Sequence, residues 1–418
     1  MNGQRPLKIL EVASHSDVRR GGAVQMILLA RGLKERGHQV ECVFQEMRGQ
    51  VFHFAPRSHS AARLAVSERN EKPVPSFPQA VADLSPHFFN LNRLSELWRF
   101  RRWVRKERFD VIHSHRDPAL RFCFLATLGL DAPAFVTQRG TVYRLPRWGV
   151  VRWAFRSRKL DRVIAVSEAV RRALIEESGL RPEKVSVVYG GYDSERFHRG
   201  VSGDEIRREF GLGPDVPVVG IVGALVGKKG HADFFEAAAR VVEVVPATWF
   251  LVVGGGKPAR FRETLARLGL SDRVIFTGHR DDMPEVLAAL DVLVCASTKG
   301  EGLTGSLREA MAVGTPVVTT DVAGNAELAL HENTGLVVPV SAPAAMAEAI
   351  TRLLRNRDEA TRLSDAAEEH VRRLCLNSHR CEQIERIYRE ILAQKERTGM
   401  DERDQRDERD KRDGRDTI

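Results

Sequence analysis

The stretch GEGLTGSLREAMAVGTPVV, Gly300–Val318, sets Glu301 and Glu309 on either side of seven residues that read as a turn passing into a helix. Gly302 and Gly305 let the backbone come close to whatever lies opposite. A helix starting near Thr304 would present free N–H groups and the positive end of its dipole to an anion such as a diphosphate. Glu309, about one turn into that helix, is placed to accept hydrogen bonds from ribose hydroxyls, whereas Glu301 precedes the turn. The same residues also fit an acidic loop that only stabilises a helix start, so taken alone the stretch leaves both readings open.

Strand-like runs at Val216–Val222, Phe250–Gly254, Val274–Gly278, Val292–Ala296, Pro316–Thr320 and Leu336–Pro339 alternate with helical segments around it. An earlier series of the same kind runs through Lys8–Ser14, Val40–Phe44, Val111–His115, Ala134–Arg139, Val163–Ser167 and Val185–Tyr189. Such alternation predicts an α/β fold with parallel doubly wound sheets. Two series predict two facing Rossmann-like domains, with the ligand in the cleft beyond the carboxyl ends of the strands. The expected domains are residues 1–197 and 198–375, with a linker near 195–215. Residues 376–396 read as a helix returning to the first domain. Residues 397–418 read as a disordered charged tail, because almost nothing apolar there can offset the entropy of ordering. Residues 48–90, rich in Pro, Ser and Arg, read as an insertion or loop.

Charge is unevenly spread: residues 1–200 hold 35 Lys+Arg against 20 Asp+Glu, so a whole-chain charge of +9 leaves the remainder acidic. A basic half suits an anionic partner such as a phosphorylated acceptor or an acidic membrane surface. It also suits an Arg-rich solvated face. Nucleic acid is not expected, since no nucleic-acid-binding motif accompanies the charge. The five cysteines form no metal-type spacing, which points to a reducing compartment, the cytoplasm, and to no structural metal. No apolar run approaches the roughly 18 residues of a membrane span, so any membrane contact is expected to be peripheral, at the inner face of the cytoplasmic membrane.

Gly300–Val318 resembles the E-x7-E motif of retaining glycosyltransferases of family four, the group 1 transferases with GT-B architecture. The likeness extends through Gly21, Gly22, Gly37 and His38, FDVIHSH (Phe109–His115), VIAVSEAV (Val163–Val170), GALVGKKG (Gly223–Gly230), VVGGG (Val252–Gly256), VIFTG (Val274–Gly278) and GNAEL (Gly324–Leu328). It implies transfer of a sugar from a nucleoside diphosphate donor, a UDP-sugar being the commonest, to a glycan or glycolipid hydroxyl of the cell envelope, as in lipopolysaccharide or exopolysaccharide assembly. No cofactor or metal is implied. The implied catalytic residues are Glu301, His115 and Lys229, the lysine contacting the donor diphosphate. The implied donor site adds Glu309, Gly302, Leu303, Thr304, Gly305, Arg280 and Gly223, and the first domain contributes Gly21, Gly22 and Arg139 to the cleft. The sequence departs from the pattern at Ala224, where the family carries arginine, and at Gly190, where it carries asparagine. Either Arg308, Arg280 or an arginine of the first domain substitutes for that cation, or the diphosphate is stabilised less strongly.

His113 and His115, two apart on a strand, face the same side. Two histidines lacking a third ligand nearby in sequence do not make a zinc site. The basic, Trp-containing stretches Leu94–Phe109 and Tyr143–Lys159 suit an anionic membrane interface or, equally, helices that pack their aromatics on the sheet. An epimerase of the same architecture, or a homologue that binds nucleotide or glycan without turnover, remains the alternative.

Overall fold

A computed structural model of the chain describes residues 5–14, 21–46, 84, 86–130 and 133–413, with side chains described through Thr398. The first sheet holds β1 (Lys8–Ala13), β2 (Gln39–Gln45), β3 (Pro86–Phe89), β4 (Val111–His115), β5 (Ala134–Arg139), β6 (Arg162–Ala165) and β7 (Val185–Val187). The second holds β8 (Val218–Val222), β9 (Trp249–Val253), β10 (Val274–Gly278), β11 (Val292–Cys295), β12 (Val317–Thr320) and β13 (Leu336–Val338). Their orders are β3-β2-β1-β4-β5-β6-β7 and β10-β9-β8-β11-β12-β13, every pairing parallel. The order reverses beside β1 in one sheet and beside β8 in the other, so each opens a crevice at the carboxyl ends of its central strands.

The helices of the first domain are α1 (Gly21–Glu35), α2 (Leu94–Glu107), α3 (Asp117–Ala126), α4 (Val150–Arg156) and α5 (Glu168–Arg172). The second domain adds α6 (Asp204–Glu209), α7 (His231–Val244), α8 (Arg262–Arg267), α9 (Met283–Ala288), α10 (Gly305–Val313), α11 (Asn325–Leu328), α12 (Pro343–Arg355) and α13 (Arg357–Cys375), and α14 (Asn377–Asp413) leaves it. Helices cover both faces of each sheet, which is why the strands read as near-continuous apolar runs.

The last helix closes the fold. Cys381, Ile384, Ile387, Tyr388 and Ile391 of α14 join Met26, Leu29 and Leu33 of α1 in one core on the first sheet. The two helices approach so closely at Gly32 that a Cβ there would stand 2.5 Å from the Cys381 sulfur. The chain crosses between domains twice, side by side: Tyr192 donates its N–H to the Cys375 carbonyl at 2.9 Å, and Asn377 lies against Gly191.

Three expectations change. Phe197, Ile206 and Leu212 are packed in the second domain's core, so residues 195–215 belong to that domain and the crossing lies at Tyr189–Tyr192. Polarity suggested a linker there, but the few apolar residues sit at positions that α6 and its flanks bury. Pro86–Phe89, within the expected 48–90 insertion, forms edge strand β3 on β2; a four-residue strand is too short to show periodicity. The rest of that insertion lies outside the described residues apart from residue 84 and residue 90. The helical backbone of α14 runs on to Asp413, where disorder was expected from 397. Acidic and basic residues alternate along this stretch of sequence at helical spacing, which favours helix without an apolar face.

Deleting residues 401–418 should leave the melting temperature unchanged, because among the described side chains of α14 the last buried one is Ile391. Tyr388→Phe should instead cost about 1–3 kcal/mol in denaturant unfolding, since the fully buried hydroxyl holds His113 at 2.7 Å and Glu11 at 3.2 Å.

Candidate active site

The turn Gly227–Lys229 ends on Gly230 at φ +70, where any side chain would collide with the Ala296 carbonyl. Glycine is required there, and the tight turn aims Lys229 at the loop after β11. Its aliphatic stem crosses Gly223, whose φ is +156, and its Nζ reaches Glu301 Oε1 at 3.0 Å, with Lys228 farther off at 3.8 Å. Glu301 is 8% exposed, so the pair is shielded from bulk water and its attraction is weakly screened.

Beyond Glu301 the backbone threads a gap with no room for a side chain. A Cβ on Gly302 would stand 2.5 Å from the Gly140 carbonyl oxygen of the first domain, and Gly324 presses on the Gly302 carbonyl from the other side. Asn325 Oδ1 accepts from the Thr304 N–H at 3.2 Å and Asn325 Nδ2 donates to Thr319 at 3.3 Å, fixing the loop against the second sheet. Leu303, expected to touch the donor, packs between the cores of both domains. Helix α10 then starts at Gly305 without a side-chain cap, leaving its first N–H groups available. Glu309 lies one turn in. Burial raises its carboxyl above the ordinary carboxylate range, opposed by Arg308 and Arg196.

The domains are also clamped by the glutamate of the GNAEL stretch, to which motif reading assigns no role. Glu327 of α11 accepts the backbone N–H groups of Glu168 at 2.9 Å and Ala169 at 2.7 Å, and the Tyr189 hydroxyl at 2.8 Å. A carboxylate of the second domain thus caps α5 of the first.

Across the cleft, Gly21 and Gly22 open α1 and are exposed. His115 ends β4 but is buried, its Nε2 held 2.6 Å from Glu11 Oε2. Burial, with His113 and Arg380 nearby, pulls its pKa down to about 4, so the ring is neutral near pH 7. Burial also opposes charge on Glu11, but His113 and His115 outweigh it and keep the carboxyl below the usual range. With Nε2 donating to that carboxylate, Nδ1 carries the lone pair and can accept from a sugar hydroxyl. Glu11, His113 and His115 each bring a potential ligand atom within 4.8 Å of the others. The expected lack of a third ligand is therefore corrected: it comes from β1, the neighbouring strand. A lone carboxylate inside the apolar run KILEVA was the signal in the sequence.

Two arginines are engaged elsewhere. Arg280 makes paired hydrogen bonds to Asp282 and Glu209, which raise its pKa and commit its guanidinium to carboxylates. Arg139, adjoining the Gly140 contact, is tied to Asp117 and Tyr143.

Gly302→Ala should prop the domains apart, lowering turnover while each domain stays folded by circular dichroism. Acid should also destabilise the protein. A histidine whose folded pKa, about 4, lies below the ordinary 6.5 makes a contribution that is lost as pH falls through that window. His231, pulled down to about 4 by burial, acts in the same sense. The melting temperature should therefore fall between pH 6.5 and 4, less steeply in His115→Gln; equal slopes would contradict the assignment.

Comparison with known families agrees with this geometry. The family described as "Glycosyl transferases group 1" matches residues 202–370, and "Glycosyltransferase Family 4" matches residues 19–196. The chain is 30% identical over 232 residues to the lipopolysaccharide core biosynthesis mannosyltransferase LpsB of Rhizobium meliloti, covering 53% of this chain and 63% of that one. It is 24% identical over 388 residues to the N-acetyl-alpha-D-glucosaminyl L-malate synthase of Bacillus anthracis, covering 89% and 94%. The crystal structure of Anabaena HepE in complex with UDP-glucose matches the fold with a TM-score of 0.73 at 20% identity, covering 91% and 99%. The two family matches together take in the second sheet and all of the first but β1, and the chain belongs to the group 1 glycosyltransferases of family four, enzymes of GT-B architecture.

Proposed function

We propose that the enzyme transfers a hexosyl group from a UDP-sugar to a hydroxyl of a cell-envelope glycan or glycolipid, such as lipopolysaccharide or exopolysaccharide, with retained anomeric configuration and without a metal. The observation that carries the reading is the Lys229–Glu301 pair, 3.0 Å apart beside the uncapped start of α10. Lysine and free N–H groups together suit a departing diphosphate, whose charge grows as the glycosidic bond breaks. Glu301 would position the sugar and stabilise positive charge on its anomeric carbon, while His115 Nδ1 would accept from a sugar hydroxyl. Glu309 would hold the ribose, and the backbone around Arg280 the base. On the retaining course the departing phosphate itself takes the acceptor proton, so no separate base is assigned. The bound UDP-glucose of HepE supports the donor class, and the role of LpsB in lipopolysaccharide core biosynthesis supports the acceptor class.

The acceptor side invites an anionic membrane surface. Trp98 and Trp148 are 75% and 86% exposed, Trp153 is half-exposed, and Trp98 shares a surface depression with Arg99, Arg102 and Arg105. Trp103 is excluded from that face, since it packs among Phe89, Phe100 and Phe109. Arg101 is committed to the carbonyls of Ala126 and Leu128 that end α3. No helix among the described residues is long and apolar enough to cross a membrane, which leaves peripheral contact.

Glu309→Ala should weaken UDP binding by about 1.5–3 kcal/mol in calorimetry, the value of a charge-assisted hydrogen bond. Glu301→Ala should lower turnover with less effect on bare UDP; equal losses would contradict the division of roles. Activity should persist in excess chelator, and restoration of lost activity by magnesium or zinc would overturn the metal-free course. Reversing charge at Arg102 and Arg105 should reduce cosedimentation with anionic vesicles, at about 1 kcal/mol per group, leaving donor hydrolysis intact. Wild-type indifference to such vesicles at low salt would end the membrane reading.

A further inference from the structure

The first turn of α10 carries more unsatisfied polarity than the proposed chemistry uses. Thr304 Oγ1 is buried with no hydrogen-bond partner. Arg308 is 3% exposed, its Nε also lacks a partner, and its nearest carboxylate, Glu309, is 4.0 Å away. That separation is too long for a hydrogen bond. Burying a guanidinium is unfavourable unless an anion meets it. Arg280 shows the contrast, its guanidinium bound to two acidic side chains.

The position of Arg308 is specific. One terminal nitrogen lies 3.5 Å from where a Cβ on Gly305 would sit, beside the free N–H groups that start the helix. The other lies 2.9 Å from the corresponding point on Gly190, in space that a side chain at 190 would fill. Gln25 Oε1 of α1, likewise buried and unpartnered, stands 3.0 Å from that same point. Side chains of a helix lean toward its N-terminus, so guanidinium, threonine hydroxyl and helix N–H groups address one volume between the opening turns of α10 and α1.

We propose that Arg308, with Thr304 Oγ1 and the N–H groups at the start of α10, binds a phosphate oxyanion of the nucleotide donor, acting as a second cation beside Lys229. The assignment rests on the nucleotide-sugar reading given above. A phosphate on the acceptor offers the same oxyanion chemistry, and bare nucleotide separates the two sources.

Calorimetry on the full chain with UDP, uridine and pyrophosphate tests it. Arg308→Gln should weaken UDP and pyrophosphate by about ten- to hundredfold while leaving uridine unchanged, and Arg308→Lys should recover part of the loss by restoring charge. Thr304→Val should give a smaller loss with the same dependence on phosphate. Unchanged UDP affinity in Arg308→Gln overturns the proposal, as does an equal loss for uridine and UDP, the mark of a merely structural role. A raised KM confined to a phosphorylated acceptor, with UDP affinity intact, also overturns it and moves the oxyanion to the acceptor. Should Arg308→Gln not fold, Arg308→Lys and Thr304→Val carry the same comparison, and wild-type affinity in both overturns it. Failure of the wild-type chain to bind UDP, GDP or pyrophosphate overturns the donor reading itself.

Discussion

Between β11 and α10 the chain passes through a gap that admits no side chain, with Gly140 of the first domain on one side and Gly324 of the second on the other. Much of the site depends on this seat. It fixes the level at which Glu301 leaves the loop to meet Lys229, and it sets where α10 can start. It also makes the site a property of two domains rather than one, because the wall facing Gly302 is backbone from the other sheet. Backbone walls do not yield as flexible side chains do, so the contact defines a closed state sharply. The Glu327 carboxylate, capping α5 nearby, holds that state with three hydrogen bonds. Polar clamps of this kind can exchange for water, which suits a cleft that must open to release product.

The opposite wall is rigid for a different reason. Glu11, His113, His115 and Tyr388 form a buried polar cluster in which β1, β4 and α14 meet. Such a cluster is favourable only when its members satisfy one another, and here the C-terminal helix supplies the hydroxyl that engages both Glu11 and His113. His115 is thus oriented through Glu11, which is itself held by a residue more than 370 positions away in sequence. Docking of α14 therefore belongs to the site as much as to the core.

That distance explains what the sequence could and could not convey. Alternating apolar runs and glycine punctuation are local, and they place every strand of both sheets except the short edge strand β3, together with the turns that carry Lys229 and Glu301. Partnership across the fold is not local. Sequence leaves the Arg280 guanidinium available, whereas the fold commits it to Glu209 and Asp282; it leaves Arg101 on a basic face, whereas the fold bonds it to the end of α3. Tryptophan beside arginine read alike at Trp98 and Trp103, yet only tertiary packing decides that the first faces solvent and the second joins an aromatic core. Polarity misled at 195–215 because a few well-spaced apolar residues suffice to dock a short segment.

The Lys229–Glu301 pair has a further consequence for the order of events. Without donor, each neutralises the other in a poorly hydrated pocket, which avoids leaving either charge buried alone. On the proposed function, an arriving diphosphate competes for the ammonium and brings more negative charge than one carboxylate can. Lys229 then turns toward the phosphates, and Glu301 is released to face the sugar at the moment a sugar is present. A cation already committed to a carboxylate is a weak diphosphate ligand until that exchange occurs. This is the physical reason a second, unpaired cation at Arg308 would matter: it can engage the oxyanion before Lys229 is free, and the pair then opens onto a substrate already held in place.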